Sequence, residues 1–220
     1  MANTPAPHTF SIPNLLTYAR IVAVPLMVLC FFAEGSFQAS NAARWWALAI
    51  FVIASITDYL DGYLARKWKQ GSAIGKMLDP IADKLLVSVA LLLLAAEGSI
   101  AGWSLWAAII ILCREILVSG LREFLGANAK LLKVTRLAKW KTTAQMVAIS
   151  VLFLGTGLNY YEVGHPPLVG ETSLPWSDSW SDLATQIGLA LIWMAAVLTA
   201  ITGWDYFDKA RPFLRDPDAA

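Results

Sequence analysis

Long apolar runs separated by short polar segments make up most of the chain. Six stretches read as helices, at 14–32, 44–64, 81–96, 103–125, 140–158 and 183–207. A bilayer core asks about 20 mostly apolar residues of each spanning helix, and these runs approach that length. The pattern predicts an all-α polytopic membrane protein with six transmembrane helices. Charges near one end of several runs predict helices that project beyond the membrane. Trp45, Trp46, Trp103, Trp106, Trp140, Trp176 and Trp180 fall near the expected ends, as an interfacial belt requires.

Composition sharpens this picture. Of 220 residues, 57% are hydrophobic and 15% charged, too apolar for an ordinary soluble domain. The length suits a single membrane domain over 1–220, with short tails at about 1–12 and 209–220. A formal net charge of +1 gives no reason to expect nucleic acid as a partner. Cys30 and Cys113 lie inside apolar runs and read as buried small hydrophobes rather than a disulfide. The opening MANTPAPHTFS has no basic segment ahead of its apolar run and does not look like a cleaved signal. No internal repeat or low-complexity tract stands out.

Charge distribution sets the orientation. Segments 66–84, 122–141 and 209–215 hold nearly all the lysines and arginines. The opposite loops, around 34–44, 97–102 and 159–182, contain one basic residue, Arg44, against six acidic ones. Positively charged loops stay in the cytoplasm, so both termini and the basic loops are expected there. The loop 159–182 reads as a Gly/Pro-rich connection without assigned function. His8 and His165, in a Pro-rich tail and in that loop, are poor catalytic candidates.

One segment breaks the apolar rule. TDYLDGYLARKWKQGSAIGKMLDPIADK carries Asp58, Asp61, Asp79 and Asp83 between oily runs. Asp58, Asp61, Gly62 and Ala65 share a helix face at i, i+3, i+4 and i+7. Asp79 and Asp83 share another at i and i+4. Asp79-Pro80 looks like a helix opening, with Asp at the N-cap and Pro at the first helical position. A short link lets the two carboxylate faces meet near the cytoplasmic surface. An aspartate at mid-membrane costs roughly 2.5–3.5 kcal/mol, and two carboxylates about 5 Å apart repel by roughly 3 kcal/mol at an effective dielectric near 20. Divalent cations would remove most of that repulsion. Oxygen ligands alone suit two ions of Mg²⁺ or Mn²⁺, and the lack of histidine or thiolate argues against zinc. Singly, each residue has an ordinary explanation: Asp79 could be only a cap, and Asp58 could pair with Arg66. All four at these spacings point to metal.

The residues spell D-x₂-D-G-x₂-A-R-x₈-G-x₃-D-x₃-D, from Asp58 through Gly75 to Asp83. This resembles the signature of the CDP-alcohol phosphotransferases, membrane enzymes of phospholipid synthesis, at every position. The resemblance implies six membrane helices, frequent homodimers and two bound metals. By position, Asp58 and Asp79 would bridge both ions, Asp61 would complete the first, and Asp83 would ligate the second and serve as general base. Gly62 and Ala65 would let the nucleotide approach the helix, Arg66 and Ser72 would contact the CDP moiety, and Gly75 would mark the turn beneath it.

IPNLLTYARIVAVP, DPIADK, REILVSGLRE and KWKTTAQM look like bacterial phosphatidylglycerophosphate synthases. That likeness implies an enzyme of the bacterial inner membrane with a cytoplasmic active site. Its substrates would be CDP-diacylglycerol and sn-glycerol 3-phosphate, and it would release CMP. A phosphorylated acceptor needs fixed cations, and Arg suits bidentate phosphate contact. Arg114, Arg122, Lys139 and Lys141 form the candidate set. Arg114 could instead pair with Glu115 or an aspartate of the cluster, and Arg122, Lys139 and Lys141 could simply snorkel at helix ends. Lys130, Lys133 and Arg136 suit anionic lipid headgroups; Arg20 fits either role. Competing readings are a phosphatidylinositol phosphate, phosphatidylserine or cardiolipin synthase, or, from another class, a cation transporter with intramembrane aspartates.

Overall fold

The computed structural model describes residues 12–32, 41–68, 73–126, 136–163 and 179–215; within these, the side chains of 12, 13, 41, 59–68, 73, 74, 76, 136–139, 160, 163 and 215 fall outside the description. Ser72, His8, His165, Lys130, Lys133 and Trp176 also lie outside the described residues. The described residues form six helices and no strand: α1 (Ile12–Phe32), α2 (Asn41–Trp68), α3 (Ala73–Glu97), α4 (Ser104–Leu125), α5 (Arg136–Val163) and α6 (Trp180–Arg215). Four helical segments are long and apolar enough to cross a membrane: Asn14–Phe32, Ser104–Leu125, Trp140–Asn159 and Trp180–Leu214. The other two helices, α2 and α3, carry the signature aspartates. At 36 residues, α6 is about 54 Å long. That exceeds a hydrocarbon core of about 30 Å, so its length extends beyond the apolar run read from sequence.

The chain divides into two compact units, one of Met1–Leu93 with Thr156–Pro166 and one of Leu94–Gly155 with Pro167–Ala220. In the first, α1 packs against α2. The polar residues Asn14, Thr17 and Arg20 of α1 face inward at three-residue spacing, followed along the helix by Val24, Met27 and Phe31, while Leu15, Val22 and Leu29 are each more than half exposed. A helix in water does the reverse. In lipid, polar side chains must find partners inside the protein and leucine faces outward without cost. From α2, Ala43, Ala47, Phe51 and Ala54 turn inward, and Ile53 and Ile56 turn outward. Arg44, read as the junction between the loop and the second span, sits in the first turn of α2 and is buried.

α3 departs from the sequence reading. It begins at Ala73, so Asp79 and Pro80 lie inside it and do not open it. Pro80 lacks the N–H that would bond to the Lys76 carbonyl. The helix nevertheless continues through it, and Asp79 and Asp83 stay one turn apart on a single rigid face.

In the second unit α4 packs against α6. Gly126, with φ of 51°, closes α4 by donating its N–H to the carbonyls of Arg122 and Glu123. Two glycines let α5 and α6 approach closely. A Cβ on Gly188 would lie 2.7 Å from the Leu152 side chain, and one on Gly155 would lie 2.6 Å from Thr185 Oγ1. Membrane helices associate through such small residues, because lipid supplies no hydrophobic drive for association. Both cysteines are free, but only partly as expected: Cys30 is half-buried and Cys113 is exposed. Cys113 sits on the outer side of an apolar spanning helix, where a small thiol needs no partner. Trp46, Trp103, Trp106, Trp140 and Trp180 are all more than half exposed, as an interfacial belt demands.

Candidate active site

Three helices of the first unit supply the acidic site. Asp58 comes from α2, Asp79 and Asp83 from α3, and Thr17 and Arg20 from α1. The Arg20 side chain is fully buried; its Nη1 lies 3.0 Å from Asp58 Oδ1 and donates to Asp83 Oδ1 at 2.5 Å. Thr17 Oγ1 donates to Asp79 Oδ1. Asp58 and Asp83, 25 positions apart in the sequence, therefore converge on one nitrogen. Asp58 is about a quarter exposed and Asp83 less than half, so a ligand can reach both. Gly75 is buried in the first turn of α3. Asp61, Gly62, Ala65 and Arg66 are on the last three turns of α2, and the side chains there are outside the described residues.

The donor set is oxygen only, which fits a hard divalent cation. Among the described residues no three acidic, histidine or cysteine side chains close on a single point. Asp61, the fourth aspartate of the signature, is not among the side chains described. Sequence reasoning left Arg20 unassigned and passed over Thr17. Their signal was present in Asn14, Thr17 and Arg20, polar residues at three-residue spacing on one face of an apolar helix.

The second unit holds a separate basic cluster. Arg114, partly buried in α4, reaches Glu115 Oε1 at 3.4 Å and donates to Thr202 Oγ1 at 3.3 Å. Lys141 of α5 is almost fully buried and donates to the same Glu115 oxygen. Arg122 is exposed and lies over the Tyr206 ring, 5.7 Å from its centroid. Gly203 makes the approach of α4 to α6 possible, since a Cβ there would meet Arg114 Cγ at 2.8 Å. Thus Arg114 and Lys141 come together on Glu115, while Arg122 contacts α6 two turns further along α4. Lys139 is on the first turn of α5, with its side chain outside the described residues.

Of the two partners weighed for Arg114, Glu115 is the one found. Thr202, Gly203 and Tyr206 were not anticipated; no local pattern on α6 marks them. Arg114 Nε, Thr199 Oγ1 and Tyr206 Oη are buried without a hydrogen-bond partner among the described residues. Such groups are costly unless a ligand or water meets them.

Residues 10–201 match the CDP-alcohol phosphatidyltransferase family. A CDP-diacylglycerol–glycerol-3-phosphate 3-phosphatidyltransferase of Cereibacter sphaeroides is 48% identical, the match covering 94% of this chain and 98% of the relative. Proteins of the same name from Bacillus subtilis and Escherichia coli are each 35% identical, over 91% and 94% of this chain and 95% and 98% of their own lengths. With the family match spanning nearly the whole length, this chain belongs to the CDP-alcohol phosphatidyltransferase family.

Proposed function

We propose that the chain transfers the phosphatidyl group of CDP-diacylglycerol to sn-glycerol 3-phosphate, giving phosphatidylglycerophosphate and CMP. The observation that carries this reading is the meeting of Asp58 and Asp83, from two helices, at one buried cation within the full family signature. The shared name of the relatives supports the choice of substrates. Asp58, Asp61, Asp79 and Asp83 would hold two ions of Mg²⁺ or Mn²⁺. When bound, such ions clamp a diphosphate and offset charge on the attacking and leaving oxygens.

The residues divide the remaining work. Gly62 and Ala65 admit the nucleotide close to α2, Arg66 and Ser72 contact the CDP moiety, and Gly75 lies beneath it. Arg114, Arg122, Lys139 and Lys141 hold the acceptor phosphate, a role that the unmet buried Nε of Arg114 supports. Asp83 takes the proton from the C1 hydroxyl of glycerol 3-phosphate as that oxygen bonds to the β-phosphorus. The bond from this phosphorus to the bridging oxygen breaks, and CMP leaves with that oxygen. An Asp is a weak base at pH 7 but need only accept the proton as the O–H bond weakens. The sequence offers no Ser, Cys or His nucleophile beside a base, which favours direct attack. All six helices cross the bacterial inner membrane as one domain of a homodimer, with both termini and the site in the cytoplasm.

The test is CMP release by the purified protein from CDP-diacylglycerol. Release should require glycerol 3-phosphate, fail with inositol phosphate, serine or phosphatidylglycerol, and stop in excess chelator. Full release with another acceptor would overturn the choice of alcohol, and full activity in chelator would overturn the metal reading.

A further inference from the structure

Arg20, like Thr17, is a residue of the acidic site that neither the family signature nor the proposed chemistry employs, and of the two it alone carries a charge. It is a fully buried guanidinium on α1, and one of its nitrogens, Nη1, is shared by Asp58 of α2 and Asp83 of α3. A partly buried carboxylate pair without a counter-charge is unfavourable, and the lipid around these helices supplies none. Nη1 takes the position from which one positive charge is shared between both and offsets part of their repulsion.

We propose that Arg20 is a positioning residue that stands in for divalent metal: in the metal-free protein it holds Asp58 and Asp83 together across α2 and α3, and it yields Asp83 when metal binds. The inference rests on the metal reading of the same aspartates. Three observations support it. The contact links two signature carboxylates and not an outlying one. Asp83, the more exposed partner, is the one that a ligand from solvent reaches first. Thr17 holds Asp79 from the same face of α1, so one helix braces three of the four aspartates before any ion arrives. Arg20 and a divalent ion then compete for the same charge. A cation beside a buried guanidinium meets repulsion as well as attraction, so removing Arg20 strengthens metal binding while weakening the metal-free fold.

The experiment follows thermal unfolding of the full-length protein in detergent, first in chelator and then across a Mn²⁺ titration, for wild type, Arg20→Gln and Arg20→Lys. Arg20→Gln should unfold at lower temperature than wild type in chelator. It should recover most of that loss at saturating Mn²⁺, and reach half-saturation at about tenfold less Mn²⁺, as expected when ion binding no longer displaces a charge-assisted contact. Arg20→Lys keeps the charge and should restore much of the metal-free stability. Should Arg20→Gln fail to fold, Arg20→Gln combined with Asp83→Asn removes both partners and should recover folded protein.

The outcomes separate the two readings. If Mn²⁺ stabilises none of the proteins, the metal reading fails and this inference falls with it. If Mn²⁺ stabilises wild type but Arg20→Gln is equally destabilised in chelator and in Mn²⁺, or needs more Mn²⁺, the metal reading stands. Arg20 is then an ordinary structural contact, and the inference is overturned.

Discussion

Gly203→Ala tests the role of Arg114 without touching any charge. The added Cβ on α6 would lie 2.8 Å from Arg114 Cγ and 3.4 Å from its Nε, inside the roughly 3.5–4.0 Å at which carbon atoms pack favourably. Cγ is close to the root of the side chain, so turning the guanidinium does not relieve the clash; the whole stem must shift. The guanidinium has little reserve. Its bonds to Thr202 and Glu115 are already 3.3 and 3.4 Å long, near the limit for a hydrogen bond, and a displacement of a few tenths of an ångström breaks them.

A contact to a charged group is worth about 1.5–3 kcal/mol, which corresponds to roughly ten- to a hundredfold in kcat/KM. The fold itself should not suffer, because Ala exceeds Gly by about 1 kcal/mol in a helix interior and offsets the strain. Initial rates of CMP release should therefore be measured while each substrate is varied in turn, beside thermal unfolding. The expected result is a tenfold or greater fall in kcat/KM for glycerol 3-phosphate, an unchanged KM for CDP-diacylglycerol and a melting temperature within a few degrees of wild type. Unaltered glycerol 3-phosphate kinetics would show that the position of Arg114 does not matter to the acceptor. A defect confined to CDP-diacylglycerol would move Arg114 to the donor site.

Other consequences follow from the same contacts. Asp83→Asn should lose kcat by several orders of magnitude while CDP-diacylglycerol still binds, and near-normal turnover would remove Asp83 from the role of base. Gly188→Val should destabilise by about 1–3 kcal/mol through overpacking, since its Cβ would press on Leu152, including the backbone N at 3.1 Å. Gly120→Ala, with nothing within 4 Å, is the silent control, and equal melting temperatures for the two variants would refute the close approach of α5 to α6. Single cysteines at Ser72 and Ser173, with Cys30 and Cys113 replaced, should label from opposite membrane faces, and labelling of both from one face would overturn the orientation.

What was legible in the sequence was what repeats locally. Apolar length announced the helices, and the spacing of Asp58, Asp61, Asp79 and Asp83 announced one carboxylate face on each of two of them. The start of α3 was misread because Asp79-Pro80 carries a strong local signal for a helix opening, which the preceding turn overrides. The partners of the site residues were illegible for a different reason. Thr17 meets Asp79 across 62 positions and Arg114 meets Thr202 across 88. Nothing within a helical window of α1 or α6 encodes such a pairing. Only the polar spacing of Asn14, Thr17 and Arg20 hinted that α1 had something to bind.

The two polar clusters differ in sign, and this difference argues for ligands more strongly than either cluster alone. Among the described side chains of the first unit, the carboxylates of Asp58, Asp79 and Asp83 outnumber the Arg20 guanidinium, which pairs with Asp58 and Asp83 while Thr17 holds Asp79. In the second, Arg114 and Lys141 share one carboxylate, Glu115. Structural ion pairs in apolar surroundings tend toward neutrality, because each uncompensated charge costs several kcal/mol. A chain with only 15% charged residues had ample opportunity to balance these sites with one more lysine or one more glutamate. A surplus of negative charge among the described side chains of one unit is one that a bound cation would offset. A surplus of positive charge in the other is one that an anion would offset. Under the proposed function, metal at the aspartates and the acceptor phosphate at Arg114 and Lys141 would supply the missing charges, and both are ligands that transfer from CDP-diacylglycerol to a phosphorylated alcohol would bring.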